Sequence, residues 1–355
     1  MNDVAPLQAG RPKLLDERKL TDWMKRNVDG FAGPLTARML AGGQSNPTYL
    51  LETSARSYVL RRKPIGDLPP GAHAVDREAR VQEALGLQDF PVPNIHALCV
   101  DETVIGSPFY IMDMIEGRIF RDSTFAETPA AERALYFDQM NATLARLHAI
   151  DPGVVGLSDF GRPGNYLARQ VKRWTRQYRE ENDAGRLPAM DWLAEWLPEH
   201  IPRDAETVIV HGDFRVDNMV FHPTEPRVIA VLDWELSTLG DPLADFTYHL
   251  MMYRCPPAFG GGIVGQDIRG LGLPDEEDYV AAYCRRTGRT DIPRLDVYMA
   301  YNLFRLAAIV HGIQGRVARG NAVSPVASQL AAQLPTIAAL ARDHARRSNP
   351  GMRAA

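Results

Sequence analysis

The octapeptide HGDFRVDN (211–218) stands between two apolar triplets, VIV at 208–210 and MVF at 219–221. Both triplets read as short strands, so the polar residues between them belong to a loop that the strands carry, not to the interior of a sheet. After a strand over 219–222, the proline-rich PTEP at 223–226 makes a turn, and the β-branched RVIAVL at 227–232 is a return strand that ends in VLDWE (231–235). An antiparallel return brings the chain back to the end from which it left, which sets Asn218 beside Asp233. An amide oxygen and a carboxylate brought together suit a hard cation such as Mg2+, which needs only one or two protein ligands alongside phosphates and water. Asp213, five residues before Asn218, is then placed to take a proton from an attacking hydroxyl.

Bulk properties narrow the function classes. The chain has 355 residues, 45% apolar and 24% charged, with a net charge of -4. These are ordinary globular values that fit one large domain or two lobes around a cleft. The acidic balance argues against nucleic acid as a partner. No apolar run approaches the ~20 residues of a membrane span, so no membrane partner is expected. The first twenty residues lack the apolar core of a signal peptide, and a cytoplasmic location is the resulting expectation. Cys99, Cys255 and Cys284 are odd in number and show no CxxC spacing, and read as buried thiols. Nothing in the pattern speaks to oligomeric state.

The chain divides by character. From Leu35 to Met114 it reads as a small antiparallel sheet, with strands at TARML, TYLLET, SYVLRR, IHALCV and PFYIMDMI and one helix at 74–86. Beyond Gly117 long helical patterns dominate, at about 128–148, 165–184, 189–197, 242–253, 276–286 and 295–317. The expected domains are therefore a nucleotide-binding lobe, 1–116, and a catalytic and acceptor-binding lobe, 117–355. Residues 1–10 and 346–355 read as loose ends.

An Asp, an Asn five residues on, and a second Asp after a short hairpin is the layout of a kinase catalytic loop. HGDFRVDN with VLDWE resembles the aminoglycoside phosphotransferase and choline kinase-like family of small-molecule kinases. The closest likeness is to the branch whose kinase domains are fused to acyl-CoA dehydrogenases in animals. The resemblance spans about 35–316. It implies an α+β, bilobal protein-kinase-like fold, with Asp213 as catalytic base, Asn218 and Asp233 on magnesium, and His211 bracing the loop. ATP and Mg2+ are the implied cofactors and a small-molecule hydroxyl the acceptor.

A kinase also needs a phosphate-covering loop, a cation on a strand and an acid to hold that cation. AGGQSNPTY (41–49) supplies Gly42 and Gly43 for close backbone approach, with Ser45 and Asn46 as donors. It is not a Walker loop, since no GK[ST] follows. Glu78 shares an inward stripe with Val75, Val81 and Leu85, where a carboxylate requires a cation. Alternation on β-strand 57–62 makes Arg61 that partner and the candidate for nucleotide phosphates. Lysine is usual there in many relatives, so Arg61 departs from the family pattern. FYIMDMIEG (109–117) resembles the family's hinge, with Asp113 and Met114 reading adenine through their backbone. Arg215 joins Arg61 in offsetting charge on the transferred group.

In the back half, Asp241 before Pro242 is a natural helix cap, and Asp245 falls in the first turn of the same helix; both are expected to be structural. Arg305 lies on a stripe with Tyr298, Tyr301 and Ile309, and an inward arginine there would grip an acceptor carboxylate or phosphate, with Tyr301 beside it. That favours a hydroxy acid or hydroxyacyl acceptor. Two other functions use the same residues: a kinase-like nucleotide-binding protein without catalysis, for which Arg61 is the argument, and a non-haem iron oxygenase that joins His211 and Asp213 to His249 or His311. GGGIVG (260–265) has the spacing of a dinucleotide fingerprint but follows RCPPAF, which is no strand, and reads as a loop.

Overall fold

The computed structural model describes residues 15–40, 46–66, 73–203, 206–259, 261–320 and 325–348. The proposed phosphate-loop residues Gly42, Gly43 and Ser45 lie outside them. By internal contacts the chain forms two units, Met1–Gly117 with Ile229–Leu236, and Arg118–Val228 with Ser237–Ala355. The first break falls one residue from the expected one. The short return of 229–236 to the first unit departs from the expectation that everything beyond 117 belongs to the second.

The first unit opens with α1 (Glu17–Asn27), followed by β1 (Thr36–Met39), β2 (Thr48–Glu52), β3 (Ser57–Arg62), α2 (Val75–Gly86), β4 (Ile95–Cys99) and β5 (Phe109–Asp113). The strands make one antiparallel sheet in the order β1-β2-β3-β5-β4. Strand periodicity then sorts its side chains onto two faces. Tyr49, Leu51, Tyr58, Leu60, Phe109 and Ile111 pack on one side with Leu20, Trp23 and Met24 of α1. On the other side Val59, Tyr110 and Met112 meet Val75 and Ala79 of α2. The expectation of a single helix in this unit is corrected by α1. It is capped by Asp16, whose side chain accepts from the Lys19 N–H at 3.1 Å, and it presents its few apolar residues at i, i+3 and i+4.

The second unit runs α3 (Ala130–Ala149), α4 (Tyr166–Glu180), α5 (Pro188–His200), β6 (Val208–Val210), β7 (Met219–Phe221), β8 (Val228–Val231, which leads into the first unit), β9 (Thr238–Gly240), α6 (Pro242–Leu250), α7 (Glu276–Thr287), α8 (Leu295–Ala318), α9 (Pro325–Ala332) and α10 (Leu334–Ser348). Helix α8, buried over most of its surface, packs against α4, α5, α6 and α10. Pro129 is the N-cap residue of α3, and the Thr128 hydroxyl just before it donates to the Phe125 carbonyl at 2.8 Å. The apolar triplet VIV is strand β6, paired antiparallel with β9, and MVF is β7. The turn after β7 closes with the His222 N–H on the Arg227 carbonyl at 2.8 Å. RCPPAF contains a 3-10 turn at Pro257–Phe259 and no strand, so GGGIVG lacks the context of a dinucleotide site.

Candidate active site

In the second unit the loop 211–218 is held residue by residue from α6. Asp241 caps that helix through the Leu243 N–H at 2.8 Å, with the Tyr298 hydroxyl on its other oxygen at 2.8 Å. One turn on, Asp245 accepts the His211 N–H on Oδ2 and the Gly212 N–H on Oδ1, both at 2.8 Å, with His148 at 3.2 Å. Burial by itself would raise the Asp245 carboxyl, but the hydrogen bonds and charge of His148 and the loop hold it below its ordinary value. Three residues further, the Tyr248 hydroxyl donates to Asp213 Oδ1 at 2.5 Å. His249 Nδ1 meets the Phe214 carbonyl at 3.1 Å and its Nε2 the Tyr279 hydroxyl at 2.7 Å.

The loop also braces itself. The Asp213 N–H donates to His211 Nδ1 at 3.1 Å. Asn218 Nδ2 donates to the Asp213 carbonyl at 2.9 Å and to Asp213 Oδ2 at 3.2 Å. With its amide nitrogen turned inward, Asn218 keeps its oxygen for another partner. Gly212 sits at φ +82°, a conformation that disfavours any side chain, and its carbonyl accepts from Arg305 Nη2 at 2.6 Å. Burial, and next the charge of Asp213, push the Tyr248 phenol up, so it stays protonated and donates.

Arg215 is committed to Asp217 through two hydrogen bonds, Nε to Oδ1 at 3.0 Å and Nη2 to Oδ2 at 2.6 Å. Arg305 is buried, as its stripe requires, and lies against the rings of Tyr248 (4.8 Å) and Trp174 (5.8 Å). Tyr301 is buried beside Tyr166 and Arg305. A cavity of about 50 Å³ adjoins the loop, with Phe214, Arg215, Tyr248, Met251, Met252 and Cys255 among its lining residues and no carboxylate among the described residues of its wall.

In the first unit a second cluster gathers around Glu78, which is 1% exposed. Arg61 Nε stands 2.9 Å from Glu78 Oε2, Asn46 Nδ2 donates to Oε1 at 2.6 Å, and the Tyr110 hydroxyl donates to Oε2 at 3.1 Å. The sequence pairing of Arg61 with Glu78 is therefore present. Asn46 is a correction: its amide faces Glu78, with His73 Nδ1 at 3.0 Å from its oxygen, rather than standing open as a phosphate donor. Arg61 also reaches Asp233 Oδ1 at 2.7 Å and lies 3.7 Å from Glu235. Asp233 adopts φ +64°, which aims its carboxylate at Arg61 in this unit. Three acids thus share one guanidinium. Burial, with added repulsion from Asp233 and Glu235, pushes the Glu78 carboxyl up to about 7 against the pull of Arg61.

At the hinge segment the Asp113 side chain bonds Arg56 (2.8 Å) and His96 (2.7 Å), and its N–H already donates to the Asn94 carbonyl at 3.0 Å. Met114, the next residue, is exposed. Against the iron-site reading, no group of three or more His, Cys, Asp or Glu side chains placed to hold a metal occurs among the described residues, and both ring nitrogens of His249 are taken by Phe214 and Tyr279. Sequence reasoning did not find Tyr248, His249, Asn46 as a Glu78 donor, or Tyr110. The i, i+3, i+4 spacing of Asp245, Tyr248 and His249 on α6 was the available signal.

Comparison with known proteins agrees with this geometry. The chain is 41% identical over 351 residues to mouse Acyl-CoA dehydrogenase family member 10, a match covering 96% of this chain and 33% of that protein. It therefore spans about a third of that relative's length. A crystal structure from Ralstonia eutropha, assigned to the aminoglycoside phosphotransferases, superposes with a TM-score of 0.86 at 45% identity, covering 94% of this chain and 99% of the other. A thermostable aminoglycoside phosphotransferase solved in ternary complex with AMP-PNP and hygromycin B shares the fold, with a TM-score of 0.53 at 17% identity over 94% of this chain and 98% of that one. Its sheet, its mainly helical second unit and its HGDFRVDN loop are accounted for together: residues 36–298 match the phosphotransferase enzyme family, and the chain belongs to that family, with a kinase-like fold.

Proposed function

We propose that the protein transfers the γ-phosphoryl group of ATP to a hydroxyl of a small molecule. The observation that carries this reading is the double hold on Asp213, whose Oδ1 accepts from Tyr248 and whose Oδ2 accepts from Asn218. A carboxylate fixed in this way, in a phosphotransferase family chain, fits the part of an acceptor-orienting base. Asp213 would take the acceptor hydroxyl's proton as that oxygen bonds to the γ-phosphorus and the bond to ADP breaks. Because phosphoryl transfer passes through a loose transition state, most of the rate would come from placement and electrostatics. Nucleotide use is carried over from the AMP-PNP complex of the fold neighbour.

The donor chemistry fits Mg2+. Asn218 of the second unit keeps its amide oxygen available while its nitrogen serves Asp213, and is proposed as a ligand. Asp233 of the first unit, whose Oδ1 meets Arg61, is proposed as a ligand in its own right. Bound magnesium would neutralise charge on the nucleotide phosphates. Arg61, held by Glu78, is proposed as a phosphate-binding cation.

For the acceptor, no acid lines the small cavity beside the loop among the described residues, which gives a polycation nothing to pair with there. A hydroxy acid or hydroxyacyl compound suits it better, and the acyl-CoA dehydrogenase name of the mouse relative points the same way. The test is a MgATP-dependent phosphorylation screen over hydroxy acids, amino alcohols, sugars and aminoglycosides. Asp213→Asn is expected to lower turnover by about 10²-fold or more with MgATP affinity retained. Full turnover by this variant overturns the assignment.

A further inference from the structure

Two arginines flank one indole ring in the second unit. Arg173 Cζ lies 4.9 Å from the Trp174 ring centroid and Arg305 Cζ lies 5.8 Å from it. Like charges gathered this closely normally share a carboxylate, yet no ion pair to either arginine occurs among the described residues. Arg305 is 5% exposed and Trp174 6%. Arg305 Nε and Trp174 Nε1 are both buried without a hydrogen-bond partner. A buried N–H left unpaired is costly, and such groups call for an acceptor. Enclosure of its surroundings, followed by repulsion from Arg305, holds the Arg173 guanidinium below its ordinary value, as expected of a cation that awaits a counter-charge.

We propose that Arg173, Trp174 and Arg305 form a subsite for a carboxylate or phosphate group carried by the acceptor. The idea rests on the phosphotransfer reading above and deepens it. Arg305 is joined to the loop at both levels: its Nη2 donates to the Gly212 carbonyl at 2.6 Å, and its guanidinium lies over the Tyr248 ring, whose hydroxyl holds Asp213. An anion on Arg305 Nε is therefore separated from the proposed base by one residue of backbone and one tyrosine ring. The acceptor that fits carries its hydroxyl and its anionic group in one molecule. Arg173, exposed at the surface end, would meet the anion first.

The test is binding, followed by Trp174 fluorescence and by calorimetry, of hydroxycarboxylates against their uncharged amides and their phosphate analogues. Wild-type protein is expected to prefer the anion by roughly tenfold or more, the size of one charge-assisted hydrogen bond. Arg173→Gln is expected to remove most of that preference and leave affinity for the amide and for MgATP unchanged. Because Arg173 is exposed, this variant should fold; Arg305→Lys, which keeps the charge but not the forked geometry, is the second probe. Equal affinity for anion and amide in the wild type, or an unchanged preference in Arg173→Gln, overturns the subsite. Tighter binding of the phosphate analogue over the carboxylate assigns the phosphate form of the ligand. Anion binding that depends on Arg173 with no phosphorylation of any acceptor leaves the subsite standing and sinks the phosphotransfer reading instead.

Discussion

Both carboxylate oxygens of Asp213 carry a hydrogen bond, and the shorter comes from a helix some thirty residues further along the chain: Tyr248 at 2.5 Å, against Asn218 at 3.2 Å. Tyr248 is thus a positioning residue for the proposed base, and its removal leaves the charge of Asp213 in place with one rotational restraint fewer. Tyr248→Phe is expected to lower kcat by roughly ten- to a hundredfold, in line with a net ~1.5–3 kcal/mol for a hydrogen bond to a charged group, and to leave the KM for MgATP unchanged. In an Asp213→Asn background the same substitution should cost nothing more, because the two residues act as a unit. Additive losses would mean that Tyr248 supports the fold and not the base. At this scale the sequence was informative where roles lie inside one loop: the spacing of His211, Asp213 and Asn218 carries the arrangement now seen. It was silent on Tyr248 and on the pairing of Asn46 with Glu78, since partners brought in by tertiary packing leave no local pattern.

At the scale of elements, period decides legibility. The strands of the first unit and the inward stripe of α2 were readable because each repeats its apolar positions several times. Strand β9 has three residues, too few for any period to register, and α1 shows three apolar residues in a strongly charged run. The α10 helix reaches Ser348 through a segment that composition alone marks as a loose end. Where β3 faces α2, the periodic reading has an energetic consequence. Glu78 is pushed up to about 7 by burial and by Asp233, above its ordinary 4.5. A carboxyl whose folded value is raised binds its proton more tightly in the folded chain than in the unfolded one between those two values. Its contribution to stability is full below about 4.5 and is lost as pH rises through about 7. Relative to Glu78→Gln, which cannot titrate, the wild type should lose denaturation midpoint steadily as pH is raised across that window. A difference that is flat with pH, or that grows in favour of the wild type, would show that Arg61 and not burial controls this carboxyl.

For the whole molecule, the division of the chain does not follow its order. The first unit closes only when 229–236 returns to it, and two contacts show what that return supplies. The Val231 N–H donates to the Pro91 carbonyl at 2.8 Å, and Trp234, 1% exposed, packs edge-on against Phe90 with ring centroids 6.0 Å apart. The turn that carries Trp234 also packs against α2, the helix that holds Glu78. A fragment ending at Gly117 would therefore expose the surface that Trp234 covers and leave the Pro91 carbonyl without its donor. Loss of a buried tryptophan is worth about 3–5 kcal/mol, a large part of the stability of a unit this small. Residues 1–117 alone should unfold at a clearly lower denaturant concentration than the same fragment joined by a flexible linker to 228–237. Trp234→Ala in the joined fragment should return it to the lower midpoint. Equal midpoints for the two fragments would mean that the first unit is complete without the returning segment, and that Asp233 reaches Arg61 on a strap that adds no stability of its own.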